Sequence, residues 1–99
     1  MRERLEALAA TERTSYGEAD RALFAEFRAA LRRGELRAAE RTPTGAWRAN
    51  VWVKQGILLG FRIGALTDMS VDPTLRFFDK DTYPVRPTAL AERVRIVPG

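Results

Sequence analysis

Two cations lie within the most apolar run of the chain, NVWVKQGILLGFRI, which covers residues 50–63. On a helix, Lys54 and Arg62 would stand about 12 Å apart along the axis and about 80° apart around it. An arginine guanidinium binds a carboxylate through two parallel hydrogen bonds, whereas a lysine ammonium acts as a compact point charge. The two side chains could therefore line one side of a pocket for an anion, with Phe61 packed beside them.

A plainer interpretation of the same residues is a solvated helix edge that also includes Gln55. The aliphatic stems of Lys54 and Arg62 would then cover Leu58 while their charged ends stay in water. The residues alone leave both interpretations open.

The chain contains no cysteine and no histidine among its 99 residues. A disulfide framework, a thiolate metal site and Ser-His or Cys-His nucleophilic catalysis are therefore excluded within it. A zinc site would need carboxylates alone, which is an uncommon donor set. The spacing of Asp68, Asp72 and Asp79 fits neither acid–base catalysis nor metal binding. We predict no catalytic residue, no metal and no bound cofactor in this chain.

The net charge of +4 is spread evenly along the sequence. Residues 1–49 hold ten basic against eight acidic residues, and residues 50–99 hold seven against five. Because no basic block or groove-binding motif occurs, we expect no nucleic-acid partner. The sequence lacks a signal peptide and any run of about 20 apolar residues that could span a membrane. We therefore expect a soluble cytoplasmic protein with no membrane partner.

The elements that must position these side chains follow from the periodicity. Apolar spacing predicts three helices, over about residues 2–13, 18–33 and 51–63. The stretch SYGE predicts a capping box for the second helix, with Ser15 as the cap and Glu18 three residues later. Pro43 and Gly45 predict a turn, with a short β-hairpin over about residues 36–49. The predicted class is mainly α with a short β-hairpin, an α+β fold, and residues 1–63 are predicted to form a helical domain.

The third helix is apolar over most of its circumference, which predicts burial on several sides. A glycine within a helix costs about 1 kcal/mol relative to alanine. Gly56 and Gly60 therefore predict that another element approaches the helix backbone closely. Contact with the backbone of a substrate is the alternative explanation.

Residues 64–99 show no helical period and are predicted to form an extended connector. The final stretch ERVRIVPG alternates, with Val94 and Ile96 on one face and Arg93 and Arg95 on the other. This alternation predicts a strand at the end of the chain. Since nothing follows for that strand to pair with, we expect that the chain was cut before a further domain.

Four stretches taken together carry a resemblance to a known family. These are RRGELRAAER, GAWRANVWVKQGILLGFRI, RFFDK and VRIVPG, in this order from about Leu31 to Gly99. They resemble the N-terminal domain of tetrahydrodipicolinate N-succinyltransferase, and the first thirty residues fit the helical start of that domain loosely.

The resemblance implies the role of the whole family. Its members transfer a succinyl group from succinyl-CoA to the amino group of their ring-opened substrate in bacterial lysine and diaminopimelate biosynthesis. They are homotrimers in which a small helical domain precedes a left-handed parallel β-helix built from hexapeptide repeats. This sequence contains no such repeats, so the catalytic carboxylates and the CoA groove would lie outside it, and the chain alone would be inactive.

The resemblance also suggests what this domain does locally. It would pack on its own β-helix domain and on neighbouring subunits, and would help to bind the dicarboxylate acceptor. Arg62, Lys54 and Phe61 are the substrate-binding candidates under this interpretation. A stand-alone, non-catalytic protein-interaction module is the alternative function.

Overall fold

The computed structural model describes residues 1–98 and contains three α-helices and two antiparallel sheets of two strands each. The helices are α1 (Arg2–Ala10), α2 (Glu18–Arg32) and α3 (Val51–Ile63). The strands are β1 (Ala39–Arg41), β2 (Trp47–Ala49), β3 (Leu66–Asp68) and β4 (Phe78–Lys80), followed by a 3-10 helix over Leu90–Glu92. The predicted α+β class is confirmed, and residues 1–98 contain no β-helix.

The first helix is shorter than predicted and ends at Ala10. Thr11 leaves the helical region with φ −101° and ψ 124°. Its hydroxyl donates to the Ala7 carbonyl at 2.9 Å, which satisfies one of the carbonyls left free at the helix end.

The second helix starts at the predicted position but with a different cap. Gly17, not Ser15, is the N-cap, and its backbone N–H donates to the Asp20 carboxylate at 3.0 Å. A carboxylate in the first turn also suits the positive end of the helix dipole. Gly34 follows the helix with φ +76°, a left-handed conformation that glycine adopts without strain.

The core lies between the three helices. The apolar stripe of α2 packs against the inner faces of α1 and α3, and the fully enclosed side chains are Leu5, Phe24, Phe27, Val53 and Leu59. The rings of Phe24 and Phe27 lie 5.9 Å apart, and Tyr83 meets Phe24 edge-on at 5.5 Å. Tyr83 is thus a link between this core and the second half of the chain.

The glycines of α3 allow close helix packing, as predicted. A Cβ at Gly56 would lie 2.5 Å from Leu5 Cδ2 and 2.5 Å from Phe27 Cζ. A Cβ at Gly60 would collide with the Tyr83 hydroxyl and the Phe24 ring. Both glycines are buried against this chain's own side chains, so contact of their backbone with a substrate is wrong as an explanation.

The second half of the chain differs from the prediction in two respects. The segment contains a hairpin, in which Leu66 pairs with Lys80 and Asp68 with Phe78, where an extended connector was predicted. The predicted terminal strand is not formed within residues 93–98, because no segment of the described chain pairs with it and Arg93 has φ +59°. Gly99 lies outside the described residues.

Candidate functional site: the outer face of α3

The third helix buries one face and exposes the other, so the prediction that it is buried on several sides is wrong. Its inner face packs into the core through Val53, Gly56, Leu59, Gly60 and Ile63. The outer face carries both cations together with three apolar side chains, and its exposed members are Val51, Lys54, Gln55, Leu58, Phe61 and Arg62. The cationic side of the helix is therefore open to a ligand or a partner.

Arg62 lies at the end of α1, between two open grooves. Its Nη2 donates to the Ala9 carbonyl at 2.7 Å. This bond places a positive charge at the negative end of the α1 dipole. One groove, of about 310 Å³, also contains Gln55 and Leu58, and the other, of about 430 Å³, also contains Glu12 and Arg13. The guanidinium thus has a structural contact and still borders open space on two sides.

Lys54 occupies a different part of the same face. Its side chain is exposed and makes no hydrogen bond or ion pair with any residue from 1 to 98. It lines neither of the two grooves that Arg62 borders. The two cations therefore share a helix face but not a pocket.

Phe61 packs away from the two grooves. Its ring lies against Tyr83, with centroids 5.0 Å apart and an angle of 42° between the planes, and 46% of the residue remains exposed. Adjacent residues on a helix point about 100° apart, and Phe61 lines neither of the two grooves that Arg62 borders.

Arg13 is a candidate that the sequence analysis missed. It lies in the connection between α1 and α2, forms an ion pair with Asp20 at 3.3 Å and stacks on Tyr16 at 5.5 Å. It also borders the groove that contains Arg62. No spacing in the sequence relates Arg13 to Arg62, since their proximity arises only when α1 and α3 pack together.

A second missed feature holds the end of α3. Lys80–Tyr83, which we call the clasp, supply three side-chain donors to carbonyls in the second half of α3 and at its cap, Gly64. Thr82 Oγ1 donates to the Gly60 carbonyl at 2.7 Å, and Tyr83 Oη donates to the Ile57 carbonyl. Lys80 Nζ donates to the Gly64 carbonyl at 3.3 Å. These contacts fix the carboxyl end of the helix that carries the candidate site.

Asp81 completes the clasp through its carboxylate. It accepts the Ala65 backbone N–H at 3.1 Å and the Arg21 guanidinium at 3.2 Å. The bond from the Ala65 N–H, assisted by Arg21, holds the pKa of Asp81 below its ordinary value of 3.8. The clasp thus joins α2, α3 and the start of β3.

Residues 1–98 contain no group of three or more acidic side chains placed to hold a metal ion. Within the same range, every helix is too short or too polar to cross a lipid bilayer.

These features define a small helical domain with an exposed cationic and apolar helix face. Comparison with known proteins agrees, because the sequence model described as "Tetrahydrodipicolinate N-succinyltransferase N-terminal" matches residues 3–63. The chain belongs to this family, which confirms the resemblance. The match includes residues 3–30, which resembled the family only loosely, and ends at residue 63.

Curated relatives have the name 2,3,4,5-tetrahydropyridine-2,6-dicarboxylate N-succinyltransferase. The protein from Leptothrix cholodnii is 47% identical over 47 residues, which are 48% of this chain and 17% of the relative. The protein from Nitrobacter hamburgensis is 51% identical over 43 residues, 43% of this chain and 14% of the relative. The protein from Ruegeria pomeroyi is 44% identical over 55 residues, 56% of this chain and 20% of the relative. The chain thus matches a fifth or less of the length of these relatives.

Proposed function

We propose that this chain is the N-terminal region of an acyltransferase that transfers succinyl from succinyl-CoA to tetrahydrodipicolinate. This reaction would serve lysine and diaminopimelate biosynthesis in the cytoplasm. The observation that carries the proposal is the family match over residues 3–63, together with relatives that are named N-succinyltransferases. The domain itself would supply no catalytic group and would act by docking and by binding the acceptor.

The exposed apolar side chains of residues 64–98 support packing on a catalytic body. Ten large apolar residues of this segment are at least 41% exposed, among them Leu66, Phe78 and Ile96. Exposed apolar surface on this scale is typical of an interaction surface. We infer that it covers part of a homotrimeric acyltransferase, including neighbouring subunits.

Arg62 is the residue best placed to bind the acceptor. The name of the relatives specifies a 2,6-dicarboxylate, and an arginine beside an open groove can bind such a carboxylate bidentately. Only one of its nitrogens is engaged, by the Ala9 carbonyl at 2.7 Å. Lys54 would add a longer-range attraction, and Phe61 would pack against the catalytic body instead of touching the acceptor.

The test is a chimera in which residues 1–98 replace the matching segment of the Leptothrix cholodnii relative. In this chimera Arg62→Ala should raise KM for tetrahydrodipicolinate about tenfold, since a charge-assisted hydrogen bond contributes about 1.5–3 kcal/mol. KM for succinyl-CoA should not change. Lys54→Ala should raise KM for tetrahydrodipicolinate less, about twofold, because an exposed ionic interaction is weak.

Two controls separate acceptor binding from the structural contact with Ala9. Arg62→Lys keeps a donor for the Ala9 carbonyl but loses the bidentate geometry, so it should retain stability and still raise KM. Arg32→Ala removes an exposed arginine at the end of α2 and should leave the KM values for tetrahydrodipicolinate and succinyl-CoA unchanged. If Arg62→Ala raised KM for tetrahydrodipicolinate and KM for succinyl-CoA equally, the role of Arg62 would be limited to its structural contact with the end of α1.

A non-catalytic interaction module is the second candidate, and the same exposed apolar surface favours it. Under this function the chimera would assemble without succinyl transfer. A chimera with the activity of the parent enzyme would reject it.

A further inference from the structure

One of the two grooves beside Arg62 is lined by side chains of both charges, and we call it the α1-end groove. It has a volume of about 430 Å³ and is bordered by Glu12, Arg13, Thr14 and Arg62. Small-molecule sites are usually clefts of about 300–1,000 Å³. The other groove beside Arg62 has no further charged residue in its lining. The α1-end groove is therefore the better match for a small charged ligand.

Both arginines of the α1-end groove are already held in place by neighbouring groups. Arg62 Nη2 donates to the Ala9 carbonyl at 2.7 Å. Arg13 stacks over the ring of Tyr16 at 5.5 Å and lies 3.3 Å from the Asp20 carboxylate. Each contact engages only part of a guanidinium, which has five N–H donors. Both side chains thus keep donors for a carboxylate, and because they are already ordered, binding a ligand costs less conformational entropy.

Glu12 gives this groove its selectivity. Its carboxylate is exposed and forms no hydrogen bond or ion pair with any residue from 1 to 98. It would repel a simple anion that approached the two arginines, and it would attract an ammonium group. The ligand that complements two guanidiniums and one carboxylate therefore carries two carboxylates and one ammonium group. The hydroxyl of Thr14 can serve either kind of group, since it both donates and accepts.

We propose that the α1-end groove binds an amino dicarboxylate. One carboxylate lies on Arg62, the other on Arg13, and the ammonium group lies beside Glu12. Arg13 and Glu12 are thus binding residues in addition to Arg62. The charge pattern stands on its own, but the identity of the ligand rests on the proposed function. Opening the ring of the 2,6-dicarboxylate in the name of the relatives gives a chain with a carboxylate at each end and an amino group beside one of them.

The test is an NMR titration of the 99-residue chain with three probes of equal carbon number. 2-Aminopimelate carries both carboxylates and the ammonium group, pimelate lacks the ammonium group, and 2-aminoheptanoate lacks the second carboxylate. We expect 2-aminopimelate to shift the amides of residues 12–14 and 62. It should bind about tenfold more tightly than 2-aminoheptanoate, which loses one charge-assisted hydrogen-bonded pair. The preference over pimelate should be about threefold, because the ionic interaction with Glu12 is exposed. Equal binding of the three probes, or no binding, would overturn the proposal.

Two variants assign the two halves of the ligand, and each has a matched control. Arg13→Gln should remove most of the preference for 2-aminopimelate over 2-aminoheptanoate and keep the preference over pimelate. Glu12→Gln should do the reverse. Arg95→Gln and Glu26→Gln make the same chemical changes at exposed positions outside the groove and should leave both preferences unchanged. If a groove variant kept both preferences, the assignment of that residue would be wrong.

The chimera with the Leptothrix cholodnii relative separates failure of this inference from failure of the proposed function. If the chimera transfers succinyl and Arg13→Gln leaves KM for tetrahydrodipicolinate unchanged, the groove is not the acceptor site and the inference is wrong. If the chimera is inactive while the 99-residue chain shows the expected preferences, the proposed function fails and the amino dicarboxylate site stands. If inorganic phosphate binds the chain as tightly as 2-aminopimelate, the groove is a general anion site and the inference is wrong.

Discussion

The two halves of this chain treat their apolar residues in opposite ways. The core cluster lies entirely within residues 5–63, where three helices enclose it. Of the fifteen large apolar residues that are exposed among residues 1–98, ten lie from Leu66 onward. In that second part only Thr82 is buried, and Tyr83 is partly buried against the core.

This difference shows where each half obtains its stability. The helical half has its own core and can gain the hydrophobic free energy that a small domain needs. The second half has two short strands and almost no buried apolar side chain, so the clasp is its main attachment. It should open locally at a much lower free energy than the helical half.

The largest expected effect comes from removing a core ring in the helical half. Phe27 is fully buried, and Phe27→Ala should lower the free energy of unfolding by about 3–5 kcal/mol. Phe77, which is 48% exposed in the second half, is the matched position, and Phe77→Ala should cost less than about 0.5 kcal/mol. Urea unfolding followed by far-ultraviolet circular dichroism measures both. If the two variants lost similar amounts of unfolding free energy, the buried core would not be confined to the helical half.

A smaller effect is expected from adding a methyl group at two glycines. By helix propensity alone, Gly56→Ala would stabilise α3 by about 1 kcal/mol. Because the new Cβ would lie 2.5 Å from Leu5 Cδ2, we expect a loss of about 1–3 kcal/mol in global unfolding. Gly64→Ala places its Cβ against Thr82 Oγ1 and 2.9 Å from Lys80 Cβ, at the attachment of the second half.

Hydrogen exchange separates the two glycine variants. Gly56→Ala should accelerate exchange of the amides in all three helices, because it lowers global stability. Gly64→Ala should accelerate exchange only in the β3–β4 hairpin, because it loosens the clasp. Faster exchange throughout the helices of Gly64→Ala would show that the second half supports the core after all.

The sequence predicted the elements of the helical half well, because their signals are local. The structure contains the predicted apolar stripe of α2, the turn at Pro43 and Gly45 between β1 and β2, and the close packing at Gly56 and Gly60. The end of α1 and the cap of α2 were missed, since Thr11 and Gly17 act through hydrogen bonds that a hydrophobic pattern does not contain.

The second half and the candidate site were less predictable for a different reason. Asp81 and Tyr83 acquire their roles from partners at least sixteen residues away, so no spacing in the sequence indicates them. Lys54 and Arg62 are exposed on one helix face, and the sequence left open whether this face is a solvated edge or part of an anion pocket. The separation of the two cations into different surroundings could not be predicted, because it depends on where α1 ends beside Arg62.

The smallest expected effect is the loosening of the clasp by acid. It should destabilise the second half of the chain and leave the helical half unchanged. The Ala65 N–H bond and Arg21 hold the pKa of Asp81 below 3.8 in the folded state. A carboxyl group with a lowered folded pKa stabilises the fold above its unfolded pKa, and this contribution is lost as the pH falls through the folded pKa. The advantage of the natural chain over Asp81→Asn should therefore be complete near neutral pH and disappear on acidification below about 3.8. The readout is the Ala65 amide chemical shift, which should titrate with the Asp81 carboxyl, together with exchange of the β3–β4 amides. A difference between the two proteins that stays constant with pH would mean that Asp81 holds the hairpin by its shape and not by its charge.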